Sequence, residues 1–504
     1  MLRSSSLCRV AVGARGKHSL AGDDYQYLEK SEIPSYHFQK SLRRLPIPKV
    51  QDTVNRYLAS SKAVLSPDVY SKTEAAIRSF EKNEAPHLQE SLLAYDKAHR
   101  DTSYISEPWF DMYLRARVPV AVNYNPFMMY APDPDPKFND QLTRATNLAI
   151  SYARIKRSLD ENLLGPEVYH INPKKSDTKL FRTVCKTLPP SLSWFGAVAF
   201  KAFPLDMSQY KSLFCGSRIP KREKDSLYLD PTQKHFIAIY KGIPYSVRIF
   251  DDAGHLLEPE DVHASLAWIL KNGKEAKPEE SVGSLTSLDR DSWADARSEL
   301  EQAGNGENLK KIDGGLFAIC LDDLKTQEHK RLVQSLLIGD EARNRWFDKC
   351  FQTIVDATSS TRTATLAILE EGRKDVRQLL SDCSAQHFQL VKEASMGQGF
   401  DRHLLGLKIT SQRLNQPIPD FFQDPGYARM GHFVLSTSTL STETIVFGGF
   451  GPVVEDGFGI GYNVVASKLG AVISSNKSKR DAAAFSQALY KSLDILRGHL
   501  VETK

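Results

Sequence analysis

The sequence predicts an α/β protein, and three observations carry that prediction. The first third consists of amphipathic helical stretches, opening with Val54, Tyr57, Leu58 and Val64 at helical spacing. The middle switches to β-rich runs at 235–240 and 245–250, joined by Lys241-Gly242-Ile243-Pro244 in a hairpin signal. The end returns to helix over about 481–500, with Phe485, Leu489, Leu493, Leu496 and Leu500 on one face.

Bulk composition narrows the class. The 504 residues suffice for two or three domains, and 41% apolar with 25% charged residues is an ordinary globular balance. A net charge of +5, with Lys and Arg spread along the chain, gives no nucleic-acid footprint. Cys8, Cys185, Cys215, Cys320, Cys350 and Cys383 lie far apart with no CxxC pair, which fits a reducing compartment and argues against zinc. No apolar run reaches the roughly 18 to 20 residues of a spanning helix.

Residues 1–22 stand apart. Arg3, Arg9, Arg15 and Lys17 are interleaved with small polar residues, and no acid precedes Asp23. Such a stretch forms a basic amphipathic helix and reads as a mitochondrial presequence. A bacterial-type signal peptide is the alternative, but Arg9 interrupts its apolar core. Prolines at 46 and 48 hold the next segment extended. Helices are then expected over about 50–65, 70–82 and 87–100, a further one from Ser106, and a long one over about 140–161, after a Pro/Asp loop at 131–137.

The stretch 181–204 differs. Trp194, Phe195, Phe200 and Phe203 fall in a short apolar run bounded by prolines and flanked by Arg182, Lys186 and Lys201. Aromatics with adjacent cations suit a membrane surface, whereas a buried hairpin or core helix explains the composition equally well. Beyond the hairpin, helices are expected near 259–270 and 293–302, and buried strands near 316–321 and 351–355 in one sheet. After Asp356 neither period is clean; helix resumes with Val376, Leu379 and Leu380.

Few residues offer chemistry. His255 and His263 sit near carboxylates, but a turn and a helix start with solvated acids account for them, and no metal site is expected. The glycine run 448–461 lacks the G-K-[ST] of a phosphate loop and reads as two strands turning at Glu455-Asp456-Gly457. Ser436, Thr437 and Ser438 form a hydroxyl ladder. In a strand, Ser436 and Ser438 point to one side, either toward a developing oxyanion or as solvated hydroxyls of an edge strand.

Taken in order, these segments resemble the carnitine/choline acyltransferase family. The carrying residues are Leu45-Pro46-Ile47-Pro48, the run from Thr102 to Tyr113, Asp140-Gln141-Leu142-Thr143-Arg144, Leu205 to Tyr210, Asn344-Arg345-Trp346-Phe347-Asp348-Lys349, Gly397 to Leu404 and Leu435 to Leu440. The resemblance implies two lobes of chloramphenicol-acetyltransferase-like topology, with a substrate tunnel between them. It implies transfer of a long-chain acyl group between coenzyme A and the carnitine hydroxyl, both substrates rather than bound cofactors. Arg402 matches the arginine that balances the carnitine carboxylate, and Ser436, Thr437 and Ser438 match the oxyanion-side motif. In the inner-membrane form of the family, a segment matching 181–208 docks the enzyme on the matrix face, which favours the surface reading of Trp194, Phe195, Phe200 and Phe203.

One departure matters. In the family, the strand after Arg-Trp-Phe-Asp-Lys leads to a Glu-His pair whose imidazole is the general base. Here Val355 runs into Asp356-Ala357-Thr358, and no histidine occurs between His329 and His387. Cys350 also replaces the serine usual after Asp-Lys. The chain is therefore expected to be an internally deleted form, by splicing or by gene-model error. Its organisation would be a presequence (1–22), the N-terminal helices and first lobe (23–355, docking insert 181–208) and an incomplete second lobe (356–504). Transferase activity would be lost with the base. The alternatives are a non-enzymatic membrane-docked variant and a misfolded product.

Overall fold

A computed structural model of the protein describes residues 9–10, 23–100, 102–325, 328–339, 341–356, 376–439, 442, 444–465 and 468–501. The presequence apart from Arg9 and Val10, the stretch 357–375 after the junction, and Leu440 of the hydroxyl run lie outside the described residues. The chain is mixed α/β and falls into two compact units, one built from Met1–Leu42, Ala116–Arg362 and Thr442–Gly451, the other from Arg43–Arg115, Thr363–Ser441 and Pro452–Lys504.

The first unit is organised on a five-stranded sheet in the order Arg9–Val10, Ile243–Arg248, His235–Tyr240, Ala318–Leu321, Gln352–Val355. The expected hairpin is formed, with a tighter turn than expected. Lys241 and Gly242 take φ of 50° and 78°, the left-handed pair of a two-residue primed turn, so Ile243 and Pro244 already belong to the second strand. The strands His235–Tyr240, Ala318–Leu321 and Gln352–Val355 run parallel. Both faces are covered, as parallel strands require. Phe236, Ala238, Phe317 and Ile319 meet Ala145, Ala149 and Ala153 of helix Gln141–Asp160 and Val262, Leu266 and Ile269 of helix Pro259–Asn272. Ile237, Ile239 and Cys320 pack with Trp293, Leu309 and Ile312 on the other side. Arg9–Val10, which the sequence reading set aside with the presequence, adds a two-residue parallel edge beside Tyr245 and Ser246.

The second unit begins as a helical bundle. Val50–Ser61, Pro67–Asn83, Ala85–Ala98 and Phe400–Arg413 enclose Tyr57, Phe80, Leu88, Leu404, Leu407 and Phe421. It continues as a three-stranded sheet in the order Leu435–Thr439, Phe458–Val465, Lys468–Ser475, the first pair parallel and the second antiparallel. Phe485 of the last helix, Ala482–Val501, stacks on Phe458 with ring centroids 4.4 Å apart.

This arrangement corrects the reading of the glycine run. The strands on either side of Glu455-Asp456-Gly457 do not pair with each other. Ile445–Gly449 joins Phe127–Tyr130 in a separate antiparallel pair, while Phe458–Val465 turns into Lys468–Ser475. Hydrogen bonding to a strand more than three hundred residues earlier outweighs the local turn signal.

The docking candidate 181–208 is a compact helical piece: helices Lys179–Thr187 and Ser193–Ala199, then strand Ala202–Pro204 against Val168–His170. Among the described residues, no helix is long and apolar enough to cross a membrane.

Candidate active site

The motif Asn344–Lys349 is a brace, built almost wholly from side chains the local sequence does not announce. Arg345 is buried and donates both terminal nitrogens to Asp322, at 2.8 and 2.7 Å. Burial alone would raise the Asp322 carboxyl, but the Arg345 bonds and charge bring it below the usual range. Asn344 donates to Leu321 O and Asp322 Oδ1, and accepts from the Gly242 backbone at the hairpin turn. Asp348, also buried, accepts from Arg290 at 2.7 Å and from the Trp293 indole at 2.6 Å. Arg290 in turn holds Asp225, which Arg218 and Arg117 also hold. Lys349 donates to the carbonyls of Asp313 and Gly315, and burial pushes its pKa down to about 8. Cys350, at the position where a serine was expected, donates its thiol to Ser212 O at 2.8 Å.

The brace fixes the edge strand Gln352–Val355. At its far end two residues complete the job. The Gln141 amide donates to Asp322 O and to Val355 O, both at 2.8 Å, and so ties the ends of two neighbouring strands together. Tyr152 meets Thr353 Oγ1 at 2.9 Å. The sequence flagged Gln141 only as part of a motif and Tyr152 not at all; Gln141 is the first residue of helix Gln141–Asp160 and Tyr152 lies three turns further along it. Asp140 starts that helix by accepting from the Thr143 backbone at 3.0 Å.

The proposed substrate-side residues all fall in the second unit. Arg402 sits in the first turn of helix Phe400–Arg413, exposed, with no hydrogen bond or ion pair to any described residue. Its neighbour His403 is the opposite case. It is fully buried, with Nδ1 2.7 Å from Thr53 Oγ1 and Nε2 2.6 Å from Gln89 Oε1. Gln89 spends its amide nitrogen on Pro48 O, so its oxygen faces the ring and Nε2 carries the proton. Burial pushes the His403 pKa down to about 4.

Ser436, Thr437 and Ser438 lie on an edge strand, Ser436 half-buried and the other two exposed. In register, Ser436 lies beside Gly459 and Ser438 beside Gly461. The two hydroxyls therefore share one face with two glycines of the neighbouring strand, and with Ser474 and Val472 of the strand beyond. Among the described residues, neither serine is hydrogen-bonded to a histidine. The nearest imidazole in sequence, His432, is occupied by Asp456 at 2.7 Å, on the loop before the strand. His255 pairs loosely with Asp251 in its turn, and no group of metal-binding side chains occurs among the described residues.

Of the membrane candidates, Phe195 is exposed and Trp194 half-buried against it, ring centroids 5.3 Å apart. Phe200 packs edge-on against Phe181 in a small core, and Phe203 is half-buried in the strand. The same segment exposes Leu180, Leu192 and Leu205, which the sequence reading did not single out.

Comparison with known proteins places this geometry. A family model described as Choline/Carnitine o-acyltransferase matches residues 45–365 and 357–491. The chain is 34% identical over 633 aligned positions to Carnitine O-palmitoyltransferase 2, mitochondrial, of Homo sapiens, covering 96% of each chain, and equally so to the protein of that name from Macaca fascicularis. It is 30% identical over 333 positions to the human Carnitine O-palmitoyltransferase 1, liver isoform, covering 64% of this chain and 38% of that one. With the family model spanning nearly all of the chain beyond residue 44, and with relatives matched end to end, this chain belongs to the choline/carnitine O-acyltransferase family.

Proposed function

We propose that the chain is of the carnitine O-palmitoyltransferase line, built to move long-chain acyl groups between carnitine and coenzyme A, and that in its present form it does so poorly. End-to-end similarity to mitochondrial carnitine O-palmitoyltransferases is the observation that carries the first half. It favours this reading over a purely non-enzymatic role or a misfolded product. A carnitine hydroxyl attacks a thioester only when a base takes its proton. Arg402, exposed and with no ion pair or hydrogen bond among the described residues, suits the carnitine carboxylate, and Ser436 and Ser438 suit the tetrahedral oxyanion. On this reading the fold is the two-lobed, chloramphenicol-acetyltransferase-like one, with residues 356–504 an incomplete second lobe.

The missing base carries the second half. The aligned span of 633 positions exceeds the 504 residues of the chain, which leaves at least 129 positions without a residue of this chain. The two family-model segments meet at 357–365, immediately after the strand that should lead to the base. Exposure in the second unit supports the same reading. Helix Val376–Ser395 buries none of its side chains from 384 onward, and Phe388 stands 72% exposed. A base contributes typically about 10²–10⁴-fold, so turnover is expected to fall at least that far below a complete relative. The check is a thiol-release assay with carnitine and palmitoyl-coenzyme A; turnover comparable to the human relative would refute the impairment.

The localisation we propose is peripheral, on the matrix side of the mitochondrial inner membrane, reached by a cleaved presequence. The names of the relatives and the exposed Leu180, Leu192 and Phe195 beside Arg182 and Lys186 support it. In co-sedimentation with cardiolipin-containing liposomes, a Trp194→Ala/Phe195→Ala double variant should bind several-fold more weakly than the unmodified chain. Equal binding would remove the insert from the membrane contact.

A further inference from the structure

We propose that the cleft at the carboxyl ends of strands His235–Tyr240 and Ala318–Leu321 is a binding site for a small phosphate monoester of about nucleotide size. The two strands are parallel neighbours, with Tyr240 beside Leu321. The chain leaves their ends in opposite directions. Lys241-Gly242 turns back to Ile243–Arg248 on one side, and the segment after Leu321 leads to Gln352–Val355 on the other. A crevice opens where connections diverge in this way, and ligands of open α/β sheets sit there. Here it has a volume of about 610 Å³ and is lined from the first unit. That is room for an organic molecule and more than a bare ion fills.

One buried group points to a ligand. Ser281 lines the cleft at 5% exposure, and its hydroxyl has no hydrogen-bond partner among the described residues. The backbone around it is fixed: Ala276 N donates to Lys241 O at 2.9 Å, and a Cβ on Gly242 would collide with Ser281 Oγ. A polar ligand supplies the missing partner. Charge selects the class. Lys241, Arg331 and Arg343 line the cleft from three separate segments, an arrangement that suits the several oxygens of a phosphate better than one carboxylate. Arg331 and Arg343 also have acids outside the cleft, Glu328 at 3.0 Å and Glu341 at 3.9 Å, in pairs open to water. Of the acids inside it, Asp322 is spent on Arg345, Asn344 and Ser335. Glu275 and Asp323 remain, Asp323 at 3.6 Å from Lys241 and beyond hydrogen-bond length. That small positive margin suits one phosphate and opposes a polyphosphate chain. Ala276, Leu321 and Leu324 offer the rest of the molecule an apolar wall. None of these residues belongs to the set Arg402, Ser436 and Ser438, so the proposal does not rest on the acyl-transfer reading.

Isothermal titration calorimetry of the full chain with adenosine monophosphate and, separately, with ribose 5-phosphate is the test. At least one should bind at a single site with a submillimolar dissociation constant, and the tighter of the two tells a nucleotide from a sugar phosphate. Lys241→Asn, which tolerates the left-handed turn, and Arg331→Gln should each weaken that binding about tenfold. Ser281→Ala should leave the free chain at least as stable, because it removes an unsatisfied hydroxyl, and should shrink the rise in thermal midpoint that the ligand gives. A purely structural serine would not do both. Binding of neither phosphate overturns the proposal. So does adenosine binding as tightly as its monophosphate, or succinate as tightly as either phosphate. Binding indifferent to both Lys241→Asn and Arg331→Gln also overturns it, since the ligand would then sit elsewhere, as at a coenzyme A site. The adenosine and succinate titrations use the unmodified chain, so they decide even if a variant folds poorly.

Discussion

Replacing Asp348 by alanine should destabilise the first unit by about 3–5 kcal/mol. The carboxylate is buried and ends a chain of charges that runs through Arg290 to Asp225, Arg218 and Arg117. Removing it leaves the Arg290 guanidinium, itself fully buried, with one acid instead of two, and leaves the Trp293 indole N–H without its acceptor. Both losses occur where water cannot substitute. An uncompensated buried charge costs far more than a surface pair is worth, which is why Arg222→Ala, breaking the exposed pair with Asp295, should change stability by less than about 1 kcal/mol. Urea unfolding monitored at the Trp293–Trp346 pair, whose rings meet edge-on at 6.3 Å, measures both variants. Equal small losses would mean that water reaches the network. Paired removal, with Asp348→Leu and Arg290→Met together, should cost less than the two single changes summed.

The second large effect is an acid loss of stability traced to His403. In the folded chain this imidazole takes up a proton only near pH 4, because burial excludes the charged form; in the unfolded chain it does so near about 6.5. The unfolded state therefore binds the proton first as pH falls. Stability from this group is intact above about 6.5, declines between there and 4, and is flat below, for a total of about 3 kcal/mol. The geometry gives the reason. Gln89 Oε1 already accepts at Nε2, while Thr53 Oγ1 sits at Nδ1 and would have to turn from donor to acceptor if that nitrogen were protonated. A His403→Gln variant should be less stable at pH 7.5 and lose most of the slope between 6.5 and 4. Denaturant midpoints measured at both pH values test this; an unchanged slope would place the acid sensitivity elsewhere.

What could be read from the sequence follows from how local its cause is. The hairpin at Lys241-Gly242 was legible because only a left-handed pair closes so tight a turn between β-rich runs. The helices Val50–Ser61 and Gln141–Asp160 showed their apolar spacing openly. The glycine run misled, because the partner of Ile445–Gly449 is Phe127–Tyr130, and nothing near residue 450 encodes a strand at 127. The brace at Asn344–Lys349 stood out as a motif, yet its chemistry lies in Asp225, Arg290, Asp313 and Asp322, scattered over a hundred residues. Ser436 and Ser438 were placed on one face by strand alternation, and that they share it with Gly459 and Gly461 required the register. His403, near the end of a recognised motif and beside Arg402, gave no hint that it is core rather than site.

The tie from Gln141 to Val355 has a bearing on how such a chain tolerates rearrangement. It anchors the final carbonyl of the edge strand from within the first unit, so the direction in which the backbone exits the sheet is set before Asp356 is reached. Whatever segment follows Asp356 starts from a boundary that the first unit has already closed. A change in the segment beyond Asp356 should therefore leave the packing of this sheet edge in place.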